Sequence, residues 1–315
     1  MTNTKIGLGC MGMSGVYGAN DDAQSLAVIH AAIERGVTVL DTGDFYGTGH
    51  NEMLIAKAIA GRRDKVQLSV KFGALRAPDG GWGGVDTRPA AIKNFLAYSL
   101  TRLGVDYIDI YRPARLDPAV PIEETIGALA ELVKQGYVRQ IGLSEVGAET
   151  IRRAHAVHPI VDLQIEYSPI SRTPEDKIFP TLHELGIGAT LYGVLSRGLL
   201  TGSKPQSKDF RRFLPRFAGE AGEKNAQVAA RFGSLAAAWG MTPGQLAIAW
   251  VRAKEPRFLP LVGARTPAQL ADALGALEKS LTRDQVTELE QRVNPEEIAG
   301  PRYQPAQMAH LDSEH

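Results

Sequence analysis

Cysteine is nearly missing from this 315-residue chain, with Cys10 the only one. A single thiol excludes an internal disulfide framework and any cysteine-based metal cluster, and it fits a reducing cytoplasm. Cys10 itself reads as a structural thiol in a strand. Long apolar runs are also lacking: no stretch approaches the roughly 18 residues that a membrane span needs. The opening "MTNTKIGLGCMG" carries one lysine and no apolar core, so it does not read as a signal peptide. Net charge is absent too. Lys+Arg and Asp+Glu count 35 each, so no overall field draws the chain to nucleic acid or an anionic membrane. No basic run is interleaved with aromatics. A small molecule is the expected partner, with no nucleic acid and no membrane, and the oligomeric state is left open. No metal site is expected, and no G-x-G-x-x-G opens a βαβ unit.

What is present is an alternation. Hydrophobic residues make up 44% of the chain, enough for a large core. Short β-rich runs fall at 6–11, 37–42, 66–72, 107–112, 140–145, 161–167, 188–194 and 258–264, rich in Val, Ile, Leu and Tyr and bounded by Gly, Asp or Pro. Between them lie helical patterns. "DDAQSLAVIHAAIERG" offers an aspartate cap, a stripe of Leu26, Ile29 and Ile33, and Gly36 as a stop. "PIEETIGALAELVKQG" repeats the plan with Ile122, Ile126, Leu129 and Val133. Repeated strand–helix units imply parallel pairing through right-handed crossovers. Eight of them close into a (β/α)8 TIM barrel, one domain over 1–315, with a C-terminal tail over 294–315 expected to be partly ordered. Residues 196–242 form a long, basic, loop-rich insertion after the seventh strand, ahead of a helix near 220–239. "APDGGWGGVD" (77–86) reads as a flexible loop.

Such a barrel carries its chemistry at the C-terminal ends of its strands. The polar residues there are Asp41, Lys71, Arg112, Ser144 with Glu145, Gln164 with Glu166, and Tyr192. An unpaired ion in a buried strand costs several kcal/mol, roughly, so Asp41 and Lys71 are expected to pair. Tyr46 lies five residues after Asp41 in "VLDTGDFYGTGHNE", between Gly43 and Gly47, which let the backbone fold the ring over the barrel mouth. A free phenol, with a pKa of about 10, is a poor acid at neutral pH. A neighbouring ammonium favours phenolate, so Asp41, Lys71 and Tyr46 could form a tuned proton donor suited to carbonyl reduction. A buried ion pair with a tyrosine filling a turn would leave the same spacing.

The ordered set "DTGDFYG", "SVKFG", "IGLSE", "LQIEYSP", "LYGVLSRGLLTG" and "LVGARTPAQLADALGAL" resembles the aldo-keto reductase superfamily from about Ile6 to Val293. The resemblance implies a TIM barrel and an NADP-dependent oxidoreductase. It makes Tyr46 the proton donor, Lys71 its tuner and Asp41 the residue holding Lys71. It places Ser144, Glu145 and Gln164 at the nicotinamide carboxamide, though the family usually has asparagine where Glu145 stands. Tyr192 would stack on the nicotinamide, and Gly193, Leu195 and Arg197 would meet the pyrophosphate. Gly263 and Arg265 would meet the 2′-phosphate, for which a guanidinium fork is well shaped. Gln269 and Asp272 fall at phosphate- and adenine-side positions, while Ala273 stands where an asparagine is typical.

A second departure lies in "IDIYRPARLDP", where Ala114 takes the place of the family's histidine. His50 is near Tyr46 in sequence and is the available substitute; His155, His158 and His183 sit in helical stretches. Asp44 reads as turn chemistry. Trp82 is a candidate wall of the substrate pocket, and Trp239 and Trp250 read as packing residues. The leading expectation is an NADPH-dependent reductase of aldehydes or ketones. A nicotinamide-binding sensor with little turnover and a dehydrogenase of a sugar or cyclic alcohol are the alternatives.

Overall fold

The computed structural model describes residues 5–18, 21–206 and 209–314. Eight parallel strands close a barrel: β1 Gly7–Gly9, β2 Val39–Gly43, β3 Gln67–Phe72, β6 Ile108–Pro113, β7 Val138–Ser144, β8 Ile160–Glu166, β9 Gly188–Tyr192 and β10 Leu259–Val262. They pair in chain order, and β10 returns to β1. Two further strands, β4 Ala74–Arg76 and β5 Trp82–Val85, form an antiparallel hairpin outside the barrel. The expected flexible loop at 77–86 is therefore corrected: the left-handed turn around Gly80 folds the segment back on itself.

Ten helices matter for the layout: α1 Asp22–Glu34, α2 His50–Ile59, α3 Pro89–Leu103, α4 Ile122–Lys134, α5 Ala148–Val157, α6 Ile178–Leu185, α7 Gly219–Ala238, α8 Pro243–Lys254, α9 Pro267–Gly275 and α10 Arg283–Arg292. Local chemistry explains their limits. Asp21 Oδ1 accepts the backbone N–H of Gln24 at 3.0 Å and starts α1, whose Val28, Ile29, Ala32 and Ile33 pack inward. Burying a side chain such as Ile29 contributes about 1.5–3 kcal/mol. In α4 the inward face is Ile122, Ile126, Leu129 and Leu132, and Val133 is only half-buried.

Every residue of β2 is buried, as a parallel strand covered on both faces requires. β1 is shorter than expected and ends at Gly9. Cys10 therefore lies beyond the strand, donating its N–H to the Asp41 carbonyl at 2.9 Å before a tight turn over Met11–Met13. Its thiol is fully buried, and burial followed by the nearby Asp41 pushes its pKa far up, so it stays an inert thiol.

The insertion after β9 contains short turns at Ser196–Gly198, Phe210–Phe213 and Pro215–Phe217 ahead of α7. The C-terminal tail is ordered through Glu314 and returns to the ends of β7 and β8, where Gly147 N–H reaches Asp312 at 2.7 Å. Leu311 is fully buried there. Among the described residues, no helix is long and apolar enough to cross a membrane.

Candidate active site

Strand register brings the first group together. Gly9 pairs with Asp41, Asp41 with Ser69, and Gly43 with Lys71, so Asp41 and Lys71 rise from neighbouring strands into the barrel mouth. Lys71 Nζ donates to Asp41 Oδ1 at 2.5 Å, and both residues are buried. The other carboxylate oxygen accepts from Ser69 Oγ at 2.7 Å and Gln164 Nε2 at 2.6 Å. Burial lowers the Lys71 pKa, and Asp41 opposes that shift. Below this layer, Arg112 donates to Ser69 Oγ at 3.1 Å and to Asp162 at 2.5 Å, and Thr190 Oγ1 donates to the same Asp162 carboxylate at 3.0 Å. A continuous polar belt thus crosses the barrel. The sequence reading had placed Arg112 among the strand-end groups; its guanidinium serves this belt.

Tyr46 is held over the pair by its loop. Gly47 and Thr48 both adopt left-handed backbone, at φ 56° and 52°, and the second is costly for a β-branched residue. Asn51 secures the turn: it accepts from Thr42 Oγ1 at 2.7 Å and donates to the Cys10 carbonyl at 2.9 Å and Ser14 Oγ at 2.7 Å. Lys71 Nζ lies 5.0 Å from the centre of the Tyr46 ring. The phenol is buried, and burial and then Asp41 raise its pKa well above the ordinary value. The Arg115 guanidinium acts in the opposite direction.

A second group gathers at the ends of β7, β8 and β9. Ser144 pairs with Gln164, and Glu166 with Tyr192. Ser144 is a largely buried residue, and its hydroxyl has no hydrogen-bond partner among the described residues. Glu145, at φ 53°, is fully buried and accepts from Tyr192 Oη at 2.8 Å, Ser313 Oγ at 2.7 Å and the Glu166 N–H at 2.9 Å. Arg302 adds contacts of 2.7 and 3.2 Å. Burial alone would raise the Glu145 pKa; Arg302 and its other donors outweigh it and hold the carboxyl well below the usual range. Tyr192 Oη also meets Tyr303 Oη at 3.0 Å. Arg197 donates to Glu166 at 2.9 Å and stacks over Tyr303, 4.4 Å from its ring centre. Gly193, at φ 68°, has room for no side chain, since a Cβ would sit 2.9 Å from Glu166 Cγ. Leu195 is half-buried in the same loop.

The third group follows β10. Gly263 is exposed, and a Cβ there would meet only the Gly9 carbonyl, at 3.7 Å. Arg265 donates to the Tyr17 carbonyl at 3.0 Å, and its own N–H reaches Gln269 Oε1 at 2.8 Å. Asp272 accepts from Thr242 Oγ1 at 3.0 Å, tying α9 to the start of α8.

Other candidates separate from the centre. His50 is taken by Ser14 Oγ at 2.9 Å and Asp22 at 3.2 Å, so its ring serves the packing of α1 against α2. His155 accepts the Ile160 N–H at 3.2 Å, and His183 pairs with Glu255 at 3.0 Å. Trp82 is half-exposed on the hairpin, 5.9 Å from the His310 ring. Ala114 is buried at the end of β6 and donates its N–H to the Phe72 carbonyl at 2.8 Å. Trp250 is fully buried and Trp239 packs partly against the core. The residues absent from the sequence reading are Arg115, Arg302 and Tyr303. A single basic–aromatic pair between prolines, "PRYQP", was the only local sign of the last two.

A closed (β/α)8 barrel thus carries an aspartate–lysine pair and a tyrosine at its mouth. The family model described as the aldo/keto reductase family matches residues 5–294, and the chain belongs to that family. Among solved structures, it is similar to a glycerol dehydrogenase from Gluconobacter oxydans, at 28% identity over 92% of each chain with a TM-score of 0.82. An aldo/keto reductase from Klebsiella pneumoniae, solved in complex with NADP and acetate, is 25% identical over 95% of this chain and 94% of its own, with a TM-score of 0.74. The aldo-keto reductase AKR11C1 from Bacillus halodurans, in its holo form, is 26% identical over 92% of each chain, with a TM-score of 0.69.

Proposed function

We propose that this protein is an NADPH-dependent oxidoreductase that interconverts aldehydes or ketones with alcohols, with Tyr46 as the proton donor. The observation that carries it is the buried phenol of Tyr46 above the Lys71–Asp41 pair. The cofactor's site fits the residues present. Ser144 offers a hydroxyl with no hydrogen-bond partner among the described residues at the end of β7, and Gly263 leaves open space after β10. Ser144, Gln164 and Tyr192 would hold the nicotinamide end, Gly193, Leu195 and Arg197 the pyrophosphate, and Arg265 with Gln269 the 2′-phosphate. The bound cofactor would supply the hydride, or take it in the reverse direction.

The chain's own residues handle the proton. Tyr46 Oη donates to the carbonyl oxygen as negative charge builds there. Lys71, kept near the ring by Asp41, stabilises the phenolate left behind until solvent returns its proton. Asp41 fixes Lys71 through a carboxylate already anchored by Ser69 and Gln164, so little reorganisation is required. Tyr46→Phe tests the reading: turnover of an aldehyde and ketone panel should collapse while a fluorescence titration with NADPH is unchanged. Full turnover in that variant would sink it.

One observation favours a second reading, a nicotinamide-binding sensor with little turnover. The tail residue Tyr303 already engages Tyr192 and Arg197 at the mouth. Tight NADPH binding with no oxidation by any carbonyl tested would select it.

A further inference from the structure

The cations at the barrel mouth are almost all committed to carboxylates. Lys71 pairs with Asp41, Arg112 with Asp162, Arg197 with Glu166, and Arg302 with Glu145. Arg115 differs. Its Nη1 donates to the carbonyl of its own neighbour Ala114 at 2.6 Å, and its guanidinium sits 5.8 Å from the centre of the Tyr303 ring. Among the described residues it has no carboxylate at ion-pair distance. A guanidinium carries five N–H donors, so one carbonyl and a ring face leave most of its fork unused.

Its backbone enters the mouth from a different strand than the cofactor groups do. Arg115 follows the end of β6, next to the Lys71 strand, with Ala114 N–H bonded to the Phe72 carbonyl. The nicotinamide and phosphate candidates instead line β7 through β10 and the loops after them. The side chain is half-buried, so part of its hydration is already lost. It nonetheless stays charged: burial lowers its pKa, and Tyr303, Tyr192 and Glu145 together more than reverse that. Its charge also reaches Tyr46, where it acts to lower the phenol's pKa. A partly desolvated guanidinium without a carboxylate partner has a counter-charge to gain when substrate arrives.

We infer that Arg115 is a specificity-determining residue that takes the carboxylate of an anionic carbonyl substrate, with the aldehyde or ketone a few bonds away at Tyr46. This rests on the oxidoreductase reading above. A carboxylate matches the fork in two parallel hydrogen bonds, and a site built for such a group discriminates strongly against analogues that lack it.

The test compares 4-carboxybenzaldehyde with 4-methylbenzaldehyde, near in shape and different in charge, in wild type, Arg115→Met and Arg115→Lys. Wild type should favour the carboxylate in kcat/KM by about tenfold or more, a margin in reach of one buried charged pair. Arg115→Met should bring the ratio near unity through KM, with any loss in kcat that comes through Tyr46 shared by both aldehydes, and leave NADPH affinity unchanged. Arg115→Lys should retain part of the preference, because it keeps the charge and loses the fork. The inference is overturned by equal use of both aldehydes in wild type, by equal losses on both in Arg115→Met, or by weakened NADPH binding. Tyr46-dependent reduction of the neutral aldehyde without anion preference would overturn it while leaving the proposed function standing. Absence of any carbonyl reduction would remove both. The wild-type comparison stands even where a variant does not fold.

Discussion

Arg302 reaches back from the C-terminal tail to place both terminal nitrogens on the Glu145 carboxylate, at 2.7 and 3.2 Å, with neither residue open to solvent. The same guanidinium meets Glu314 at 2.7 Å and Glu166 at 3.3 Å. The ion pair therefore fastens the tail across the ends of two barrel strands. Arg302→Met would strand a buried carboxylate and should cost about 3–5 kcal/mol of tail docking. Hydrogen exchange should rise across 300–314 while the barrel strands keep their protection. Glu145→Gln in the same chain should recover part of the loss, since no unpaired charge is then left. The sign with pH follows from the depressed folded pKa of Glu145. Its contribution is present above the unfolded glutamate value of about 4.3 and is lost only as pH falls through the lower folded value. Tail protection should thus persist at pH 4 and disappear only in stronger acid.

Asp41 and Lys71 predict a separation of stability from turnover. Asp41→Asn leaves a buried ammonium without its counter-ion and should destabilise the fold by about 3–5 kcal/mol in urea titrations. Adding Lys71→Met removes the charge and should restore most of that stability. Activity should stay lost in the double variant, because the ammonium 5.0 Å from the Tyr46 ring is then gone. Recovery of turnover together with stability would show that the pair is only structural.

The barrel was legible in the sequence because eight apolar runs and their capped helices each carry a local signal, such as Asp21 before α1. Asp41, Tyr46 and Lys71 were legible because charge inside a parallel strand needs a reason. The Arg112–Asp162 bond was not, since its partners are 50 residues apart and only barrel closure joins them. The tail was harder still: Arg302 and Tyr303 meet groups more than 100 residues upstream, and a short segment without periodicity gives no hint of where it lands. The hairpin at 74–85 was missed because its second strand, "WGGV", contains two glycines and has low strand propensity.

Asp44 should make stability fall as pH rises through the neutral range. It is buried, with Glu52 and Arg102 acting on its charge, and one of its oxygens has no hydrogen-bond partner. Burial and then Glu52 push its pKa up to about 7. Between about pH 4 and 7 the unfolded chain has released this proton and the native chain retains it, so stability declines across that window and levels off above it. The full effect is on the order of 4 kcal/mol. Asp44→Asn should flatten the dependence and be more stable than wild type at pH 8, with little difference at pH 4. Thermal unfolding at both pH values checks this, and parallel curves for the two proteins would contradict it.

Arg265 should distinguish the two nicotinamide cofactors. Its fork lies beyond β10 beside exposed Gly263, with Gln269 holding its backbone N–H in place. Arg265→Leu should weaken NADPH by about 10- to 100-fold, the scale of one lost charge-assisted contact, and leave NADH nearly unchanged. A parallel loss for both cofactors would place the arginine elsewhere than at the 2′-phosphate.

Gly73 connects the lysine strand to the hairpin and should tolerate no side chain. It stands at φ 84°, and a Cβ there would lie 2.8 Å from the backbone carbonyl of Asp86, an atom that no rotamer change can move aside. Its own carbonyl also accepts the Asp86 N–H at 2.9 Å, so a shift that relieves the clash breaks this bond. Gly80 is the matched control: its φ is 82°, and a Cβ would meet nothing within 4 Å. Gly80→Ala should therefore cost only the left-handed backbone penalty, about 1–2 kcal/mol. Gly73→Ala should cost that and the displacement of the hairpin, at least twice as much in urea titration. Because Lys71 lies two residues upstream, its turnover should fall more than that of Gly80→Ala. Equal losses in the two variants would mean that the hairpin can move without disturbing the Lys71 strand.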